Sequence, residues 1–485
     1  MHLDDYRRYD LTDLAGLLKS GEVAADEVHE AARTAIEQVD GDLNAVADGP
    51  WPSPLPYAPD GPFAGAPFVV KDLACHPRDV PMRLGSRLTG AGLTAPHDTH
   101  LMARFREAGL ATLALATTPE LGISPSTEAL VYGPTRNPWD LACSPGGSSG
   151  GSSALVAARA VPAAHANDSA GSIRIPAAAC GLVGLKPSRS RVPIGPDAQE
   201  IVFGQMSELA VTRTVRDAAA VLDAASGWAP GDHVRLDPPA RAFRDEVAVP
   251  PGRLRIAVHT DSWAGSTVDP EVRTAVDQVA AELASQGHHI EEATPCIAWD
   301  ALVDAQVAIF SAATAQAVSG IAQASDLPTD ETTLERVTLA FSERGRQLSA
   351  LDLAQALASR NDLSRELGSF FTDHDVLVTP TLTTPAWPVG RFDQDEAGVD
   401  PETWLRRIFD ICAFTPLGNI TGTPAVSLPL GTSRHGLPVG VQVAADMGQE
   451  ATLLRLAAQL EGAMPWRERL PAVHAGTADN PRKEP

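Results

Sequence analysis

The residues best suited to chemistry sit between positions 144 and 187, SPGGSSGGSSALVAARAVPAAHANDSAGSIRIPAAACGLVGLKP. A glycine–serine loop carries Ser144, Ser148, Ser149, Ser152 and Ser153, and a second small-residue loop carries Ser169 and Ser172. Glycine lets a backbone turn tightly and approach a ligand. A flexible Gly/Ser linker would not run straight into an apolar segment such as IRIPAAACGLVGL, so two such loops joined by apolar chain read as a site. Serine is a weak nucleophile at neutral pH and needs a base. Upstream, Lys71 directly follows the apolar run PFVV. An amine ending a buried strand is disfavoured as ammonium, which lowers its pKa and makes it a candidate base. GGSSG also fits the GxSxG nucleophile elbow. That elbow needs a preceding strand, and here Cys143, Ser144 and Pro145 precede it. A phosphate-cradling loop would continue into GK[ST], which is missing.

Together these residues resemble the amidase signature family of serine hydrolases. GGSSGGSS and DSAGSIRIPAAACGLVGLKPS look like its signature, and VVKD at 69–72 matches its lysine motif. The likeness continues through TTPELG, NPWD, TRTVRDAA, TGTPAVSLPLG and GLPVGVQVAA, and so covers nearly the whole chain. It implies a catalytic set of Lys71, Ser148 and Ser172, with Ser172 as nucleophile, Ser148 as bridging serine after a cis peptide, and neutral Lys71 as final proton acceptor. It also implies an oxyanion hole from the backbone N–H groups of Ser169, Ala170, Gly171 and Ser172, acting through an acyl-enzyme on C–N bonds of small linear or cyclic amides. No metal and no cofactor is implied. The chain departs from the common pattern at Ala170-Gly171, usually two glycines, and at Ala166-Asn167-Asp168. In this form it is most like the 6-aminohexanoate cyclic dimer hydrolase branch. A glutamine-hydrolysing subunit of a transfer-RNA amidotransferase, and a carbamate or ester hydrolase, are the alternatives on the same scaffold. A non-catalytic scaffold would not be expected to retain Lys71, Ser148 and Ser172.

The elements that must position these groups alternate between strand and helix, which makes the class α/β. Helical periodicity covers 11–19 and 24–39, broken at Gly21, as an N-terminal helical segment within residues 1–60 that packs on the body. Pro- and Gly-rich residues 49–64 read as loop. Asp98 is expected to cap a helix ending at Gly109, and 111–116 a buried strand. The irregular residues 188–208 are expected to line a pocket. Asp269-Pro270 opens another helix, 300–370 is mainly helical, and 254–258, 375–378, 425–430 and 439–444 are strands. Residues 467–485 read as a loosely ordered tail. The family likeness implies one domain over 1–485, built on a large twisted mixed β-sheet covered by helices on both faces.

Composition narrows the partners. With 61 acidic against 38 basic residues, the formal charge of −23 argues against broad electrostatic binding to nucleic acid or an anionic membrane. Five cysteines, none in a CxxC pair, argue against a disulfide framework and for a reducing compartment. With no membrane-length segment and no leader read at the start, the expectation is a cytoplasmic enzyme for a small-molecule amide, and a homodimer is compatible with it. His288-His289 is expected to be an exposed turn and Cys180 inert core, and no histidines are spaced as metal ligands.

Overall fold

The computed structural model describes residues 1–476. Among these, eleven strands form one mixed sheet, and helices cover both of its faces. The strands are β1 (Val46–Asp48), β2 (Pro67–Lys71), β3 (Ala111–Ala116), β4 (Ala163–Asp168), β5 (Val183–Lys186), β6 (Ser207–Thr212), β7 (Arg255–Val258), β8 (His289–Glu292), β9 (Val376–Pro380), β10 (Ala425–Thr432) and β11 (Pro438–Ala445). Their spatial order is β1-β3-β2-β4-β6-β5-β10-β11-β9-β7-β8. β2 lies parallel to both β3 and β4, while β4 and β6 are antiparallel. The C-terminal ends of β2 and β4 and the start of β6 therefore meet at one end of these neighbouring interior strands. The carboxyl ends of strands are where open α/β sheets hold ligands.

The N-terminal helices, Leu11–Ser20 and Ala25–Leu43, are separated by Gly21 in the left-handed region, at φ 74°. Asp269 accepts from the Glu271 N–H and Pro270 opens the helix Pro270–Ser285. Other expectations are corrected. Thr99, rather than Asp98, caps the helix His100–Glu107, and Asp98 instead accepts from the Arg78 N–H. His288 is buried between the Leu254 N–H and Gln459, so it ties β7 to the helix Glu450–Ala463. The part of the expected loose tail within the described residues is docked, with Val473 and Ala475 donating to the carbonyls of Pro138 and Ala158. Residues 477–485 lie outside the described residues.

One segment does reach membrane-span length. The helix Trp299–Ser325 has 27 residues and a mean hydropathy of 1.4. Here it packs against the helices Arg336–Gln347 and Ala350–Asp373, burying Leu302, Ile309 and Val318. Its remaining apolar face, with Phe310, Thr314 and Ile321, lines a cavity. Gly345 permits its close crossing with Arg336–Gln347, because a Cβ there would collide with the Ser311 carbonyl and the Ala315 methyl. Gly345→Ala is expected to destabilise the protein by about 1–3 kcal/mol through overpacking. Urea unfolding of the two proteins measures it, and an unchanged midpoint would show that the crossing is loose.

Candidate active site

Lys71 ends β2 and is fully buried. Its Nζ lies 2.7 Å from Ser148 Oγ, 3.1 Å from Ser149 Oγ and 2.7 Å from Asn167 Oδ1. Burial pushes the amine down to about 7, against the opposing pull of the Glu208 and Asp168 charges. Asn167 is fixed by its own amide, which donates to the Leu73 carbonyl at 3.2 Å, so Oδ1 must face the lysine. The Ser149 hydroxyl donates to the Asn167 carbonyl at 3.2 Å, so its oxygen also accepts from Lys71. Two of the three partners are therefore acceptors. A neutral amine has two N–H donors and one lone pair. Ser148 is the partner left to give a proton to that lone pair.

Behind this group lie Glu208, the cross-strand partner of Asn167, and His165. Both are buried. Burial pushes Glu208 up to about 8, while burial and the Lys71 charge push His165 down to about 3. The low dielectric thus favours neutral forms throughout the cluster.

Ser148 follows a cis peptide from Gly147. The serine loop then enters the helix Gly150–Ala157, every residue of which is buried. Ser152 donates to the His165 carbonyl at 2.7 Å and joins this helix to β4.

Asp168 ends β4 and organises the second loop. Its carboxylate accepts from the Gly171 and Ile173 N–H groups at 2.6 and 3.1 Å. It also pairs with the Arg174 guanidinium at 2.9 and 3.0 Å. That guanidinium continues to Gln442 on β11 and to Asn419 at 2.8 and 2.6 Å. Arg174 and its neighbours hold the Asp168 carboxyl down to about 2 despite complete burial. One expected oxyanion donor is thereby corrected, since the Gly171 N–H is committed to Asp168. The N–H groups of Ser169, Ala170 and Ser172 have no acceptor among the described residues. Gly171 sits at φ 137°, and a Cβ there would strike Thr415 and Ile175. Thr415 also donates to the Ala170 carbonyl at 2.6 Å and pins the loop from outside.

Ser148, Ser172, Ser169, Ala170 and Asn167 all line one cavity of about 710 Å³, within the range of small-molecule sites. Its walls are apolar, with Leu73, Ile123, Ile175, Phe310, Ile408 and Phe409 among them. Asp197, Glu200 and Ile201 from the irregular stretch 188–208 complete it, as expected. Cys180 is buried and its thiol reaches only the Pro145 carbonyl, in keeping with core. Sequence reasoning missed Ser149, Asn167 and Glu208 as neighbours of Lys71. Asn167 was visible as a departure from the common motif, whereas Ser149 and Glu208 carried no signal.

Residues 29–454 match the family model described as Amidase. The chain belongs to the amidase family. It is 36% identical over 476 residues to a 6-aminohexanoate-cyclic-dimer hydrolase of Pseudomonas sp. (strain NK87), covering 96% of each. A solved 6-aminohexanoate cyclic dimer hydrolase superposes with a TM-score of 0.89 at 34% identity, over 96% of this chain and 99% of that one. A bacterial aryl acylamidase of the amidase signature family follows at 0.81 and 25%, over 96% and 98%. This amidase is a hydrolase of amide C–N bonds.

Within this amidase the Asp168–Arg174 pair is a support rather than a reacting group. Asp168→Ala would leave a buried guanidinium without its counter-charge, at a cost of about 3–5 kcal/mol. Chemical denaturation should show that loss. A stability within about 0.5 kcal/mol of wild type, as for a neutral surface change, would contradict it.

Proposed function

We propose that this amidase hydrolyses small, uncharged amides, cyclic bis-amides among them, with Ser172 as nucleophile and Ser148 and Lys71 as its proton relay. The observation that carries the reading is the partner set of Lys71, in which two partners accept and Ser148 is left to donate. Ser172 Oγ attacks the carbonyl carbon while its proton passes to Ser148, and the Ser148 proton passes to Lys71. The oxyanion is met by the N–H groups of Ser169, Ala170 and Ser172, for which donors must come within about 3 Å. The relay then runs backwards. Lys71 returns a proton through Ser148 to the departing amine, leaving an acyl-enzyme on Ser172. Water attacks the ester, gives up its proton to the same relay, and releases the acid and free Ser172.

The preference for uncharged substrate follows from the walls. Among the described lining residues there is no lysine or arginine, and the acidic ones are Asp197 and Glu200. A free glutamine would bring a carboxylate into this cavity without a cation to receive it. The glutaminase alternative therefore loses support, and the full-length likeness to cyclic-dimer hydrolases favours neutral cyclic amides. A panel of cyclic and linear amides, carbamates, esters and glutamine tests the class. Faster turnover of glutamine than of every neutral amide would overturn it.

Ser172→Ala should leave the fold intact and abolish the acyl adduct seen by intact-mass spectrometry with a slow ester. An adduct on Ser148 in both proteins would move the nucleophile to the first loop.

Because the base is the neutral amine, wild-type amide hydrolysis should rise with pH through about 7 and then level off. Lys71→Ala should lose about 10²–10⁴-fold on amides and much less on an activated ester, whose phenolate leaves without a proton. Lys71→Arg should not restore the amide rate, since guanidinium stays protonated. Near-normal amide hydrolysis by that variant would make Lys71 an electrostatic anchor. Exhaustive chelation should leave the wild-type rate undiminished, and a loss restored by zinc would sink the relay.

A further inference from the structure

The cavity has a second chemical feature, among lining residues that reach solvent. His76 and His97 lie on the connection from β2 to the helix His100–Glu107 and Asp197 on that from β5 to β6, and their ligand atoms all lie within 4.8 Å of one another. His76 Nε2 is 2.8 Å from one oxygen of Asp197, and His97 Nε2 is 2.9 Å from the other. The two rings meet edge to face at a centroid distance of 5.5 Å. His76 and Asp197 line the cavity that also holds Ser148 and Ser172, and His97 stands outside that lining. We propose that these three residues form a binding site for a zinc-like transition metal at the cavity mouth, and that metal bound there obstructs substrate entry.

Several observations support a metal over a simple hydrogen-bonded trio. Two imidazoles and one carboxylate are the donor set that suits zinc and its neighbours, and not magnesium or calcium. Zinc takes nitrogen at about 2.0–2.1 Å and carboxylate oxygen at about 2.0–2.2 Å. Tetrahedral geometry then sets neighbouring donors about 3.3 Å apart, a spacing within reach of three ligand atoms that all lie within 4.8 Å of one another. His76 Nδ1 is buried without a partner. Without metal, Asp197 accepts from the His76 Nε2–H, and the unpartnered Nδ1 is where the ring can carry its proton once Nε2 ligates an ion. The loops are held in register before any ion arrives. The Thr99 N–H donates to the His76 carbonyl at 3.1 Å, and the His100 N–H to the Gly195 carbonyl at 2.7 Å. The side chains of His97 and Asp197 are 43% and 55% exposed, so an ion can enter without unfolding. With three protein ligands, the remaining coordination position is left to water or substrate, as in open zinc sites.

The site stands apart from the serine relay, and metal there is an obstacle, not a reagent. The obstruction rests on the proposed amidase reading, whereas the binding does not.

Zinc chloride is titrated into the full-length wild type and into His97→Ala, followed by calorimetry, and cobalt chloride by its visible absorption. Wild type should bind one zinc at this site and give a tetrahedral cobalt spectrum. His97→Ala should weaken binding by about 10–100-fold or more, since loss of even an outer partner of a metal ligand costs that much. Magnesium and calcium should not compete. On a neutral amide, zinc should slow wild type, EDTA should restore the rate, and His97→Ala should keep its basal rate while losing the sensitivity. Equal zinc affinity in the two proteins, or none in wild type, overturns the site. Binding that is lost in His97→Ala without any slowing of wild type overturns the obstruction. Absence of turnover on every amide, with the titration as expected, refutes the amidase reading and leaves the metal site standing.

Discussion

An amine can serve as a base near neutral pH only if it is kept from water and still given enough acceptors to stay in place. Lys71 meets both demands, and much of the surrounding structure follows from them. Its nitrogen is fully buried at the end of a strand whose every residue is buried. Asn167 and Ser149 supply the acceptors, and each is oriented by a hydrogen bond of its own. Had either been free to rotate, Lys71 could have spent its lone pair elsewhere. The order β3-β2-β4-β6 brings Lys71, Asn167 and Glu208 to one end of neighbouring strands inside the sheet.

A second constraint governs the loop that carries the proposed nucleophile, Ser172. Backbone N–H groups can stabilise an oxyanion only if the loop is rigid and its donors are not already satisfied. Asp168 achieves the first by accepting from Gly171, Ile173 and Arg174, and Arg174 carries that restraint to β11 through Gln442. It uses one potential donor in doing so. The residues that keep theirs, Ser169, Ala170 and Ser172, line a cavity whose apolar walls strengthen any charge–dipole interaction inside it. The long helix Trp299–Ser325 supplies much of that wall, which accounts for its membrane-like hydropathy in a position where it is packed on several sides.

The elements that sequence periodicity found are those with a clear apolar stripe or a cap. β3, the N-terminal helices and Pro270–Ser285 are of this kind. The elements that carry the site were the least legible. β4 reads AAHAND, which has little β-propensity and three polar residues, yet it is buried throughout. Gly150–Ala157 opens on Gly-Gly-Ser-Ser, among the poorer helix formers, and holds because it is enclosed on all sides. At both places tertiary burial overrides local preference, and both flank the proposed catalytic loops, where small residues allow close approach.

The sequence by itself determined the family, the α/β class and the positions of Lys71, Ser148 and Ser172, because these rest on residue identity and spacing along one chain. Only the tertiary structure decided what those residues touch. That Asn167 and Ser149 accept from Lys71, that Gly171 gives its N–H to Asp168, and that His76, His97 and Asp197 come together are matters of direction and distance that spacing along the chain does not fix. A hydrogen bond depends on ångström-scale geometry, and no periodicity in a sequence encodes it.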